Sequence, residues 1–171
     1  MLSENIQNAI NRQINAELYS SYLYVAMAMY FESVDMSGAA KWMNAQAQEE
    51  LVHADKFMNY VNERGGRVIL DAIGKPPVEW KSVLDTFEAA LDHERKVSSM
   101  INDLVTLARK ENDHMTDNFL QWYVAEQVEE EASAGEVVRK LKLIGDSGGG
   151  RFMIDNELGQ RVFNTAAGSG E

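Results

Sequence analysis

Glu49-Glu50-Leu51-Val52-His53-Ala54-Asp55 puts a carboxylate and an imidazole, Glu50 and His53, where a helical repeat calls for apolar side chains. Around it Trp42, Met43, Gln46, Phe57 and Tyr60 keep a near seven-residue spacing, interrupted by Glu50 and His53. Residues three apart on a helix share a face, so Glu50 and His53 lie together in the stripe facing the core. Polar groups there are costly unless something pairs them.

Three further segments repeat the anomaly. Ile10, Ile14, Tyr24, Ala28 and Phe31 are interrupted by Glu17; Val83, Phe87, Val97, Ile101 and Leu104 by Glu94; Leu120, Tyr123, Val137, Leu141 and Ile144 by Gln127 and Glu130. The intervening chain is rich in Ala, Glu, Leu, Met and Gln, all strong helix formers, and its only prolines are Pro76 and Pro77. The spacing predicts a first helix from about Ser3 to Val34 and a second beginning at Ser37-Gly38 and ending at Gly65-Gly66. A third runs from about Ser82 to Glu111, and a fourth, N-capped by Asp113, to Ile144. Gly145 to Gly150 read as a glycine-rich hinge before a short fifth helix over Arg151 to Arg161. Residues 1–163 form one domain, and 164–171 a flexible C-terminal tail.

Four long amphipathic helices on this repeat make an all-α four-helix bundle. The connection from Gly65 to Trp80 sets its topology. Sixteen extended residues reach about 50 Å, against roughly 42 Å for a helix of about 28 residues, so the connection can run the length of the bundle. The other two turns are short. The order is therefore up, down, down, up, with a long crossover between the second and third helices. Val68, Ile69 and Leu70 give that crossover an apolar strip to lay on the bundle or on a partner subunit.

Every interrupting residue lies within a turn of its helix's midpoint, so the bundle gathers Glu17, Glu50, His53, Glu94, Gln127 and Glu130 in one layer. Four buried carboxylates cannot all stay ionised in an apolar layer. Two divalent ions would neutralise them, and an oxygen-rich set with one imidazole suits iron or manganese better than structural zinc. The plainer alternative is a hydrogen-bonded polar layer without metal.

Composition narrows the classes. The chain has 171 residues, 45% of them apolar, no cysteine, and a formal net charge of −11. The missing cysteines remove disulfides, thiolate zinc, iron–sulfur clusters and thiol catalysis. The charge makes nucleic acid a poor partner and cations good ones. No apolar run approaches the ~18 residues of a membrane span, and no secretory signal is visible. Together these predict a cytoplasmic protein.

ELYSSYLY (residues 17–24), EELVHAD (residues 49–55), Glu94 and EQVEE (residues 126–130) resemble bacterial non-haem ferritin, over nearly the whole chain. Ferritin-like di-iron bundles take one Glu from each of two helices and Glu-x-x-His from each of the others. Here Glu50-x-x-His53 is kept, but the fourth helix has Gln127-x-x-Glu130, which points away from bacterioferritins and rubrerythrins. The haem-ligand methionine of bacterioferritins falls at Leu51, so no haem is expected.

The resemblance implies that Glu17, Glu50 and His53 hold a first iron with Glu50 bridging, that Glu94 and Glu130 hold a second, and that Gln127 sits at the dioxygen side. It also implies a third iron position at Glu49, Glu126 and Glu129, sharing Glu130. Tyr24, seven residues after Glu17 on the same face, would be a hydrogen-bonding partner or electron donor. Trp122 reads as packing, and His93 and His114, without partner spacing, as surface residues. Asp117 matches an acidic position of the threefold channels, whose next acidic position falls at Leu120.

The implied function is iron storage with ferroxidase activity. Fe(II) would be oxidised by dioxygen or hydrogen peroxide and stored inside a homo-oligomeric cage of 24 subunits. A di-metal oxygenase or peroxidase without mineral storage is the alternative, and an interaction bundle with a redundant polar layer a third reading.

Overall fold

Ser3, Ser82, Asp113 and Ser147 each turn a side-chain oxygen onto the backbone N–H three residues on, and each starts a helix. Such caps satisfy donors that the first helical turn leaves unpaired. The computed structural model describes residues 2–145 and 147–163, so the proposed tail 164–171 lies outside the described residues. The elements are α1 (Glu4–Ser33), α2 (Ser37–Glu63), α3 (Val83–Lys110), α4 (His114–Ile144) and α5 (Gly148–Leu158).

The ends of the helices fix their directions. At one end Ser3, at the start of α1, donates to Glu111, just past α3. There too Arg64, just past α2, pairs with Asp113 before α4 at 3.1 Å. The start of α1, the ends of α2 and α3 and the start of α4 therefore meet at one end, which is the up-down-down-up order. α1 packs chiefly on α2, α3 on α4, and α1 also on α3.

The crossover runs along α1. Gln7, Asn11 and Asn15, four apart on one face of the helix, bind its backbone. Gln7 Oε1 accepts from Arg67 N–H at 2.8 Å, and Asn11 accepts from Ile69 N–H and donates to Arg67 C=O, both at 3.1 Å. Asn15 donates to the carbonyls of Asp71 and Ala72 at 3.2 Å. Of the expected apolar strip only Val68 packs on the core. Ile69 and Leu70 remain 52% and 61% exposed, because side-chain amides hold the crossover and leave the apolar groups facing out.

α5 begins three residues earlier than the sequence predicts and ends at Leu158 rather than Arg161. Glycine's weak helix propensity conceals that Gly148 to Gly150 form the first turn under the Ser147 cap. The bend lies instead at Gly145, whose φ of 55° is in the left-handed region that glycine enters without strain. α5 then folds back over the start of α2 and the end of α4. A Cβ at Gly38 would lie 1.7 Å from the Asp155 carbonyl oxygen, so only glycine admits this approach.

The core is two apolar clusters. One gathers Met27, Phe31, Met43, Phe87 and Leu141; the other gathers Ile10, Ile14, Phe57, Ile101 and Leu120. Between them, on all four long helices, lie buried Glu17, Gln46, Glu50, His53, Glu94, Gln127 and Glu130.

Candidate metal centre

α1 supplies Glu17, α2 Glu50 and His53. One ligand atom of each lies within 4.8 Å of the other two, and all three residues are buried. His53 Nδ1 stands 3.3 Å from Glu50 Oε2. Across the layer, His53, Glu126 and Glu130 form a second such group, also within 4.8 Å. His53 thus belongs to both groups.

Electrostatics describe a site short of positive charge. Burial, then the neighbouring Glu50 charge, pushes Glu17 up to about 8. Burial, then Glu94, lifts Glu130 to about 7. Glu50 is raised well above the carboxylate range by burial and by Glu94 and Glu130. Burial raises Glu94 as well, opposed by hydrogen bonds from Tyr24 and Gln127. Carboxylates crowded away from water hold protons where no cation replaces them.

Hydrogen bonds orient most of the oxygens. Gln13 Nε2 donates to Glu17 at 2.9 Å, and Gln46 Nε2 to Glu130 at 2.7 Å. Tyr24 O–H donates to Glu94 Oε1, and Gln127 Nε2 reaches Glu94 Oε2 and Ser98 Oγ, each at 3.2 Å. Tyr123 O–H holds the His53 carbonyl at 2.8 Å. Glu17 Oε2 and Gln46 Oε1 are buried without any partner. Buried polar atoms are nearly always satisfied, so two orphaned oxygens in a layer of carboxylates fit a cation-binding site.

The Ferritin-like domain family matches residues 7–144. This chain belongs to the ferritin-like family. It is 48% identical to bacterial non-heme ferritin of Bacteroides fragilis over 94% of this chain and 100% of that protein. With bacterial non-heme ferritin of Staphylococcus aureus it shares 37% identity over 96% of this chain and 99% of that one. Its fold matches an open pore ferritin from the hyperthermophilic archaeon Archaeoglobus fulgidus with a TM-score of 0.94 at 52% identity, covering 95% of this chain and 100% of that chain. A closed form of that ferritin, engineered by site-directed mutagenesis, gives 0.95 at 52% identity, covering 96% and 100%.

In this ferritin-like chain the six expected central residues share one buried layer, but Glu94 belongs to neither close ligand group, its oxygens being turned to Tyr24 and Gln127. Of the three residues expected beside the pair, Glu126 is half-buried and Glu129 exposed. Glu49 reaches the guanidinium of Arg161 at 2.6 Å. Trp122 packs edge-on to the His53 ring at 5.4 Å, with Lys56 Nζ 4.1 Å over its face.

One expectation fails. His93 is no surface residue: its Nε2 lies 2.7 Å from Ser20 Oγ and its ring meets Tyr24 edge-on. Burial, with Lys96 nearby, lowers it to about 4. Leu120 is fully buried in the core, so its position cannot line a channel, and Asp117 is paired with Arg109 at 3.1 Å. His114 is exposed, as expected.

The sequence reading missed Gln13 and gave Gln46 a place in the repeat but no role at the site, though a signal existed. Each stands four residues before a site carboxylate, one helical turn away on the same face. Arg161 carried no such signal, because it reaches Glu49 across 112 residues of chain.

Proposed function

We propose that this ferritin-like protein oxidises Fe(II) at the buried carboxylate layer and stores the ferric product in a homo-oligomeric cage of 24 subunits in the cytoplasm. The Glu17–Glu50–His53 group, with the unpartnered Glu17 Oε2 beside it, carries the reading. Fe(II) is the substrate. Glu17, Glu50 and His53 take the first ion, Glu50 bridging; Glu94 and Glu130 take the second. Each ion gives up one electron, and dioxygen or hydrogen peroxide accepts the pair. The fixed carboxylates favour the more highly charged product, and no side chain needs to act as a nucleophile.

The residues' own work is positional. Ferrous iron displaces the protons that Glu17, Glu50 and Glu130 otherwise hold. Gln13 and Gln46 steer the Glu17 and Glu130 oxygens, Tyr24 steers Glu94, and Gln127 offers an amide on the oxidant side. Glu49, Glu126 and Glu129, with Glu130 shared, form a third position through which iron leaves the pair.

Assembly fits the exposed apolar surface. Tyr22, Val25 and Met29 form a stripe on α1, and Ile69, Leu70 and Ile73 lie exposed on the crossover. Exposed apolar patches of this kind mark contact surfaces.

Aerobic Fe(II) loading of the apo-protein, followed by size exclusion with iron assay and electron microscopy, tests the reading. Electron-dense cores co-eluting with a high-mass particle are expected. Iron oxidised without retention would favour the oxygenase or peroxidase alternative, and a monomer or simple dimer would count decisively against storage.

A further inference from the structure

Arg161 lies just beyond α5, yet its side chain reaches the middle of the bundle. Its guanidinium donates to Glu49 Oε2 on α2 at 2.6 Å and approaches Ser133 Oγ on α4 at 3.5 Å. Its Cζ lies over the Trp42 ring, 4.4 Å from the ring centre. The Arg161 and Glu49 side chains are only 21% and 25% exposed. A planar guanidinium stacked on an aromatic ring and bonded to a carboxylate is held in one orientation, and it keeps its charge at any physiological pH. Glu49 in turn acts electrostatically on Glu50, Glu126 and Glu130. Arg161 therefore occupies the carboxylate through which a cation would be held.

We propose that Arg161 is a built-in competitor for Glu49, filling in the metal-free protein the place that a cation takes in the third position. The inference rests on the reading that Glu49, Glu126 and Glu129 form that position. Both positive charges cannot share Glu49 at close range without strong repulsion, so a cation entering there must displace the guanidinium. The Arg161 backbone stays tied to α5, its N–H bonded to the Leu158 carbonyl at 3.2 Å, but its long side chain can swing away, because Glu49, Ser133 and Trp42, its three side-chain partners, all lie on other helices. Its return expels the ion. The third position is thereby weak and self-clearing, passing iron onward instead of retaining it. Arg161 acts through Glu49 and is a positioning residue.

Zinc(II), which undergoes no redox change, is a suitable probe by calorimetry on assembled apo-protein. Arg161→Gln should tighten the weakest class of zinc sites about tenfold, the scale of one lost charge-assisted hydrogen bond, and leave the two tight equivalents unchanged. Arg161→Lys, which keeps the charge, should lie near wild type. Glu49→Gln should remove the weakest class. If Glu49→Gln keeps the full zinc complement, the third position itself is wrong and the competitor falls with it. If Glu49→Gln loses one class while Arg161→Gln binds as wild type does, only the role of Arg161 is overturned. A tightening matched by Arg161→Lys would also overturn it, because charge would then be irrelevant.

Discussion

Asp155 of α5 caps α2: its Oδ1 accepts the backbone N–H of Ala39 at 2.8 Å, across 116 residues of sequence. The residue at the N-cap of α2, Met36, offers no side-chain cap of its own. The fifth helix thus completes the first turn of the helix that carries Glu50 and His53, and a carboxylate there also complements the positive end of the helix dipole.

Asp155→Ala should lower stability by about 1 kcal/mol, the usual worth of an N-cap, and Tm by about 2–4 °C for a chain of this size. Gly38→Ala should do more, because its Cβ would enter the α5 backbone. Removing the chain from Gly148 onward should leave the bundle helical, since every candidate metal residue precedes it, while assembly or mineral retention suffers. Circular dichroism and size exclusion check all three, and loss of helix comparable to global unfolding would contradict the division.

Glu17→Ala or His53→Ala should abolish the fast phase of Fe(II) oxidation at two irons per subunit, a larger effect than the roughly 10–100-fold typical of losing an outer partner. Glu49→Ala or Glu129→Ala should spare that phase and alter turnover. Stopped-flow absorbance decides. A wild-type fast phase in Glu17→Ala would move the chemistry out of the buried layer.

Tyr24→Phe removes the hydroxyl that donates to Glu94. That bond lowers the Glu94 pKa against burial, so its loss should raise it, and occupation of the second iron position should shift to higher pH. Cobalt(II) absorbance titrated against pH reads this shift without oxidation. An unmoved profile would reduce Tyr24 to packing.

The metal-free protein should lose stability as pH rises. Glu17 sits at about 8 and Glu130 at about 7, against the ordinary 4.5. The folded chain therefore binds more protons than the unfolded one in that window. This contribution is full below about pH 4.5 and lost as pH climbs through 7 and 8. Tm without metal should be several degrees lower near pH 9 than near pH 6, at about 2–4 °C per kcal/mol. Zinc(II) should remove most of the difference. A metal-free Tm that is flat over this range would show that the carboxylates are not held neutral.

The four long helices and their buried polar layer were legible because periodicity and helix midpoints are local properties. Glu17, Glu50, His53, Glu94, Gln127 and Glu130 interrupt apolar stripes that the chain declares on either side of them. The start of α5 was hidden because three glycines signal a loop, and the deciding Ser147 cap is one side chain. His93 was misread because its shelter comes from Tyr19, Ser20 and Tyr24 on another helix. Arg161 and Asp155 were invisible for the same reason: their partners lie on α2, more than 100 residues away.

The amide ladder on α1 also bears on how the chain avoids aggregation. Arg67, Ile69 and Asp71 alternate along the crossover, and Gln7, Asn11 and Asn15 take the backbone groups that these residues turn towards α1. Cross-β stacking needs both edges of a strand free for other chains. A stretch as apolar as Val68-Ile69-Leu70 would otherwise invite it. Three side-chain amides thus leave the run able to meet a partner through its side chains but not to be built into a fibril through its backbone.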